Sequence, residues 1–104
     1  MKNQKITISV IGSHDAKGEE ADLAYKVGAL VASEGAVLVC GGLGGAMAWC
    51  AKGAKENNGT TIGILPGKEK SDANPFIDIA LPTSIGYSRN CIVACSADIV
   101  IALP

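Results

Sequence analysis

The feature that most constrains this chain is an apolar segment that ends in a cluster of glycines. The segment Val37–Cys40 is continuously apolar, and four glycines lie among the next five residues, at positions 41, 42, 44 and 45. A short apolar run bounded by glycine predicts a buried strand. Small residues with helical spacing begin directly afterwards. The pattern therefore predicts a strand, a tight turn and a helix, and we call residues 41–45 the glycine turn.

The glycine turn is suited to an anionic ligand as well as to a tight reversal of the chain. Glycines allow a ligand to approach backbone N–H groups without a Cβ atom in the way. The N-terminus of the following helix favours an anion such as phosphate. A plain strand-to-helix turn needs only one or two glycines. We interpret the turn as a candidate phosphate or nucleotide contact, with a purely structural turn as the alternative.

Length and charge narrow the class of protein. The 104 residues correspond to a single domain, residues 1–104. A net charge of −1 offers no basic patch for nucleic acid or for an anionic membrane surface. The segment that begins at Met1 lacks the basic and then apolar pattern of a signal peptide. A membrane-spanning helix needs about 18 consecutive apolar residues, and every apolar run in the sequence is much shorter. We expect a cytoplasmic domain that binds neither nucleic acid nor membrane.

The four cysteines, at positions 40, 50, 91 and 95, predict structural thiols. None forms a Cys-x-x-Cys pair and the only histidine is His14, which argues against a zinc site, and no other metal site is predicted. Cys40 and Cys95 lie in apolar patterns, so we expect both thiols to be buried and slow to react.

Strand-like and helical segments alternate along the chain. Strand patterns cover residues 6–12, 36–40, 60–65, 77–81 and 98–103, and helical patterns cover about 17–34, 45–56 and 87–96. A polar loop is expected at 68–74. This alternation predicts an α/β fold with a parallel sheet of about five strands and helices on both faces. The last strand ends the sequence, so we expect another chain, or more of a longer protein, to cover it.

Four loops meet at the carboxyl-end rim of the predicted sheet, where ligands bind in such folds. Arg89 is the one guanidinium there, at the start of a helix, and can hold a phosphate with two hydrogen bonds. The alternative is a surface arginine paired with Asp78 or Asp98. Ser13 and Thr83 are candidate hydroxyl donors or helix caps. The dinucleotide and P-loop fingerprints are both missing, which argues against classical NAD and ATP sites.

Four segments, in this order, carry a family resemblance: residues 10–13, 40–47, 61–67 and 86–90. Together they resemble the Rossmann-like LOG superfamily. Residues 74–79 and the pair Arg89-Asn90 resemble its branch of molybdenum-cofactor carrier proteins. The resemblance implies a Rossmann-like homodimer that binds a small phosphorylated ligand, either a nucleoside monophosphate or the molybdenum cofactor. The candidate ligand-binding residues are Gly12, Ser13, Gly41, Gly42, Gly44, Gly45, Met47, Pro66, Gly67, Thr83, Arg89 and Asn90.

Catalysis is the point at which the sequence departs from the enzymes of the superfamily. Those enzymes hydrolyse the N-glycosidic bond of nucleoside 5′-monophosphates and carry a Pro-Gly-Gly-x-Gly-Thr-x-x-Glu motif after the fifth strand. This sequence stops at Pro104, before that motif, and Ser84 stands where the carrier branch usually has glycine. We therefore expect a C-terminally truncated binding domain in which Arg89 is the one candidate catalytic residue. The alternatives are a phosphoribohydrolase, if the full protein supplies the motif, and a ligand-free structural fragment.

Overall fold

Strands and helices alternate along the chain in the computed structural model, which describes residues 5–104. The expectation that no signal peptide is present falls mainly on residues 1–4, which lie outside the described residues. The elements, in chain order, are β1 (Thr7–Ile11), α1 (Glu19–Ser33), β2 (Val37–Cys40), α2 (Ala46–Lys55), β3 (Thr61–Leu65), β4 (Ile79–Pro82), α3 (Arg89–Cys95) and β5 (Ile99–Ala102). None of the helices within residues 5–104 has the length and apolar character needed to cross a bilayer.

Two short 3-10 helices were not predicted from the sequence. Lys70–Asp72 forms one of them, within the segment predicted as a polar loop. Gly86–Ser88 forms the other, so that α3 begins at Arg89 rather than at residue 87. Both segments are too short for their residue spacing to show a helical period.

The sheet is parallel throughout and has the strand order β4-β3-β2-β1-β5. The chain proceeds outward from β1 to β4 and then crosses back to place β5 beside β1. Strand order therefore reverses at β1, and open parallel sheets bind ligands next to such a point. β4 and β5 are the two edge strands, and whether another chain covers β5 stays a prediction.

Helices cover both faces of the sheet, as predicted. On one face, α1 and α2 pack over Leu38 and Cys40 of β2. On the other face, Val93 of α3 contacts Val39, which lies between those two residues in β2. Successive side chains of a strand point to opposite faces, so the continuous apolar run of β2 serves two separate cores.

Two glycines allow α1 and α2 to approach each other closely. A Cβ atom at position 28 would overlap the backbone carbonyl of Cys50, and one at position 53 would overlap the backbone carbonyl of Tyr25. Backbone atoms of one helix therefore lie directly against backbone atoms of the other, and neither position has room for a side chain.

Two aspartates bind backbone amides at the amino ends of the strands. Asp78 Oδ2 accepts the Thr61 N–H at 2.9 Å and pairs with Lys55 Nζ at 3.0 Å. Asp98 Oδ2 accepts the Thr7 N–H at 3.0 Å. Thr61 and Thr7 begin β3 and β1, so both carboxylates lie at the end of the sheet opposite the glycine turn. The alternative that Arg89 pairs with Asp78 or Asp98 is therefore wrong.

The four cysteines fall into two classes, and the expectation of buried, structural thiols is wrong for Cys91 and Cys95. Cys40 and Cys50 are buried between β2 and α2, whereas Cys91 and Cys95 are exposed on α3. The reason is that α3 buries only Arg89 and Val93, so its remaining side chains face outward. The hydrogen bond with Cys40, together with burial, raises the pKa of the Cys50 thiol well above its usual range.

We expect a thiol reagent to label two cysteines quickly and two slowly in the native protein. Reaction needs an accessible thiolate, and only Cys91 and Cys95 are exposed. The measurement is the time course of Ellman's reagent with and without denaturant. A double Cys91→Ser, Cys95→Ser variant should lose the fast phase and keep the slow one. Four equal rates in the native wild type would contradict the assignment.

Candidate functional site

A cavity of about 560 Å³ opens at the carboxyl ends of β1 and β2, next to the point where strand order reverses. This volume is within the range of small-molecule sites. Loops after β1 and β2, the start of α2 and the start of α3 all contribute to its wall. The lining residues are Val10, Ile11, Gly12, Ser13, His14, Gly41, Leu43, Gly44, Met47, Tyr87, Arg89, Asn90 and Val93.

The glycine turn makes room for the guanidinium group. A Cβ atom at position 41 would lie 2.7 Å from Arg89 Nη2 and 2.5 Å from Met47 Sδ, which is closer than real Cβ contacts. Arg89 therefore occupies space that any other residue at position 41 would fill. Gly41 contributes to the site mainly by having no side chain.

Ser13 joins the β1 loop to the start of α2. Its carbonyl oxygen accepts the Ala46 N–H at 2.8 Å, so the first amide of α2 is already bonded within the protein. Its hydroxyl donates to Asp15, and this hydrogen bond lowers the pKa of the Asp15 carboxyl. Both groups of Ser13 thus have partners in the protein, which supports a structural role in shaping the cavity wall.

Arg89 is buried, with only 4% of its surface exposed, although it was predicted as a residue on the rim. Nη2 donates to the carbonyl oxygen of Gly41 at 3.3 Å and lies 3.8 Å from Met47 Sδ. Nη1 donates to the side-chain oxygen of Asn90. The buried Nε–H has no hydrogen-bond partner. Within residues 5–104, the one ion pair at 4.0 Å or less joins Lys55 and Asp78, so the Arg89 guanidinium has no carboxylate partner.

Burial lowers the pKa of Arg89, but an arginine side chain stays protonated at neutral pH. The guanidinium of Arg89 is therefore a positive charge that lies against Gly41 of the glycine turn and has no carboxylate partner among residues 5–104. Such a group can bind an anion that enters the cavity.

A second cavity, of about 380 Å³, adjoins the first. Leu43 and Tyr87 line both cavities, so they form a common wall. Tyr87 is 79% exposed, and its ring is accessible to a ligand. The other lining residues of this second cavity are Pro66, Gly67, Asp72 and Gly86.

The structure brings nine of the twelve predicted site residues to the two cavities. Gly12, Ser13, Gly41, Gly44, Met47, Arg89 and Asn90 line the larger one, and Pro66 and Gly67 line the smaller one.

The remaining three predicted residues, Gly42, Gly45 and Thr83, line neither cavity. Gly42 and Gly45 have positive φ angles of 81° and 65°, which supports a role in the turn itself. The Thr83 hydroxyl donates to the carbonyl oxygen of Leu65 at 2.7 Å, at the end of β3.

Eight residues that line the two cavities were not predicted as site residues: Val10, Ile11, His14, Leu43, Asp72, Gly86, Tyr87 and Val93. Leu43 interrupts the glycines and Tyr87 precedes Arg89 by two positions, so proximity to the motifs could have indicated both. His14 follows Ser13 in the first loop and could have been found in the same way. Asp72 lies in a polar segment that shows no pattern, and nothing in the sequence points to it. Within residues 5–104, no set of three His, Cys, Asp or Glu side chains is placed to hold a metal ion.

The chain is similar in sequence to one protein family and to a protein of an archaeon. The family model described as the SLOG cluster4 family matches residues 5–104. An uncharacterized protein of Archaeoglobus fulgidus is 45% identical over 96 residues, which are 92% of this chain and 63% of that protein.

Solved structures also resemble this chain. The molybdenum cofactor binding protein of the phototrophic bacterium Rippkaea orientalis matches with a TM-score of 0.94 at 40% identity, over 98% of this chain and 64% of that one. The molybdenum cofactor carrier protein of Chlamydomonas reinhardtii matches with a TM-score of 0.86 at 34% identity, over 95% and 62%. The chain thus spans somewhat less than two thirds of the length of these proteins.

Proposed function

The chain belongs to the SLOG cluster4 family, and from this premise we propose that its larger cavity binds the phosphate of a small nucleotide-like ligand. The resemblance to the LOG superfamily and to its molybdenum-cofactor carrier branch is confirmed. The ligand we propose is a phosphorylated pterin of the molybdenum-cofactor type, and a nucleoside monophosphate offers the same phosphate group.

The observation that carries this proposal is the unpartnered guanidinium of Arg89. Burial of a charge without a countercharge, with one N–H left unbonded, costs free energy in the unliganded protein. A phosphate in the cavity that Arg89 lines would supply the missing countercharge. If Arg89 had only a structural role, nothing would compensate for the free energy of burying its charge. A role in anion binding supplies that compensation.

Neighbouring groups support an anion at this position. Gly44 is exposed at the cavity wall and has no side chain to obstruct a ligand. Asn90 accepts from Nη1 and so orients the planar guanidinium. A fixed planar fork suits the tetrahedral geometry of a phosphate better than a mobile ammonium group does.

The related structures support the choice of ligand. The protein from Rippkaea orientalis is described as binding the molybdenum cofactor, and the protein from Chlamydomonas reinhardtii as carrying it. We propose that this chain binds a cofactor of the same chemical class. The molybdenum cofactor would be cargo here, and no step of catalysis is assigned to it.

The test combines ligand capture with titration. We expect native mass spectrometry of the purified protein to detect a bound phosphorylated species, and calorimetry to show saturable binding of AMP or GMP. Incubation with AMP, followed by an assay for free adenine, separates binding from phosphoribohydrolase activity. Failure of inorganic phosphate, AMP and GMP to bind would contradict the proposal. Release of adenine would support the enzymatic alternative.

A further inference from the structure

We propose that the smaller cavity is the subsite for the ligand's heterocycle, and that Asp72 selects a ring edge with two adjacent N–H donors. Guanine and pterin rings have such an edge. This inference rests on the proposed function, because the phosphate held by Arg89 would place the rest of the ligand next to the wall formed by Leu43 and Tyr87. The two cavities share that wall, with a cation in one and a carboxylate in the other.

Asp72 has a free carboxylate at the cavity. Among the described residues, no donor lies within hydrogen-bond distance of its side chain, and the one ion pair involves other residues. Its Oδ2 would lie 3.4 Å from a Cβ atom at position 67, so the bare Gly67 backbone leaves the carboxylate open on that side. Both residues line the cavity. The carboxylate therefore has acceptor capacity available to a ligand.

The loop that carries Asp72 is attached to the glycine turn. Asn74 donates from its backbone N–H to the carbonyl oxygen of Gly42 at 2.8 Å and from Nδ2 to that of Leu43 at 2.7 Å. The Asp72 N–H donates to the backbone carbonyl oxygen of Glu69 at 3.2 Å and closes the short 3-10 helix. These bonds hold the backbone of the loop against the glycine turn, which keeps the exposed Asp72 side chain at the wall of the smaller cavity.

The chemistry of a carboxylate decides which ring it accepts. An ionised carboxylate only accepts hydrogen bonds, and its two oxygens match two parallel N–H donors. Guanine and pterin present a ring N–H beside an exocyclic amino group. Adenine presents an amino group beside a ring nitrogen that carries a lone pair. The carboxylate repels that lone pair. The exposed ring of Tyr87 can stack on any of these heterocycles and so adds affinity without selectivity.

The test compares GMP with AMP, which share ribose and phosphate and differ at this ring edge. We expect wild-type protein to bind GMP about tenfold more tightly than AMP by calorimetry. Asp72→Asn should abolish or reverse the preference for GMP, because an amide presents an acceptor beside a donor and so matches the edge of adenine. Glu69→Gln removes the same charge from the same loop, and Glu69 lines neither cavity, so this variant should keep the tenfold ratio.

The outcomes separate this inference from the proposed function. Equal affinities of wild type for GMP and AMP, or a preference that survives in Asp72→Asn, would overturn the subsite. If substitution of Arg89 still abolishes nucleotide binding in that case, the proposed phosphate contact holds without the heterocycle subsite. If Glu69→Gln loses the preference for GMP as fully as Asp72→Asn does, the preference comes from the net charge of the loop, and the role of Asp72 is overturned. Failure of wild type to bind either nucleotide would overturn both proposals.

Discussion

Arg89→Met is expected to weaken the binding of AMP and GMP by roughly ten- to a hundredfold without lowering the stability of the unliganded protein. A hydrogen bond to a charged group contributes about 1.5–3 kcal/mol, and about 1.4 kcal/mol corresponds to a factor of ten. Methionine is long enough to occupy most of the space that the arginine leaves. It also removes a buried charge with an unbonded Nε–H. The free energy of unfolding should therefore change little, because relief of the buried charge offsets the loss of the hydrogen bonds to Gly41 and Asn90.

The measurement pairs calorimetric titration with urea unfolding of the unliganded protein. Arg89→Lys is the matched control, because it keeps the charge and loses the planar fork, so it should recover only part of the affinity. Binding that is lost together with stability would indicate a structural arginine. Unchanged affinity in a stable Arg89→Met variant would remove the phosphate role altogether.

Gly28→Ala is expected to destabilise the protein by about 2–3 kcal/mol, although alanine is the better helix former. Helix propensity alone predicts a gain of about 1 kcal/mol from this substitution. The added Cβ would overlap the backbone carbonyl of Cys50, and a backbone cannot rotate away as a side chain can. Helices α1 and α2 would have to separate, and overpacking of this kind typically costs about 1–3 kcal/mol, occasionally more. The sign of the change distinguishes the two effects.

Urea unfolding of Gly28→Ala and Gly44→Ala provides the comparison. A Cβ atom at position 44 meets no heavy atom within 4 Å, and the backbone there has no positive φ. Gly44→Ala should therefore change the free energy of unfolding by less than about 0.5 kcal/mol. A stabilised Gly28→Ala variant would show that the two helices separate easily.

The part of the site that could be predicted consists of residues at turns and helix starts along one rim of the sheet. Glycines at the end of an apolar run indicate a turn, and strand–helix alternation indicates that several such turns meet at one rim. Gly12, Gly41 and Arg89 were found in this way, and all three line the larger cavity. Thr83 was selected by the same argument, but its hydroxyl bonds to Leu65, a partner from another strand that no local pattern identifies.

The sequence by itself determined the order and type of the main elements, the parallel sheet and the position of the glycine turn. These follow from the spacing of apolar residues and from glycine, which act over a few neighbouring positions. Only the tertiary structure decided that Arg89 is buried without a carboxylate, that Asp78 and Asp98 lie at the opposite end of the sheet, and that Asp72 lines a second cavity. Burial and pairing of a side chain depend on which distant segments pack against it. For Arg89 and Asp98 that was set by the return of the chain from β4 to β5, and for Asp72 and Asp78 by the connection that pairs β4 with β3.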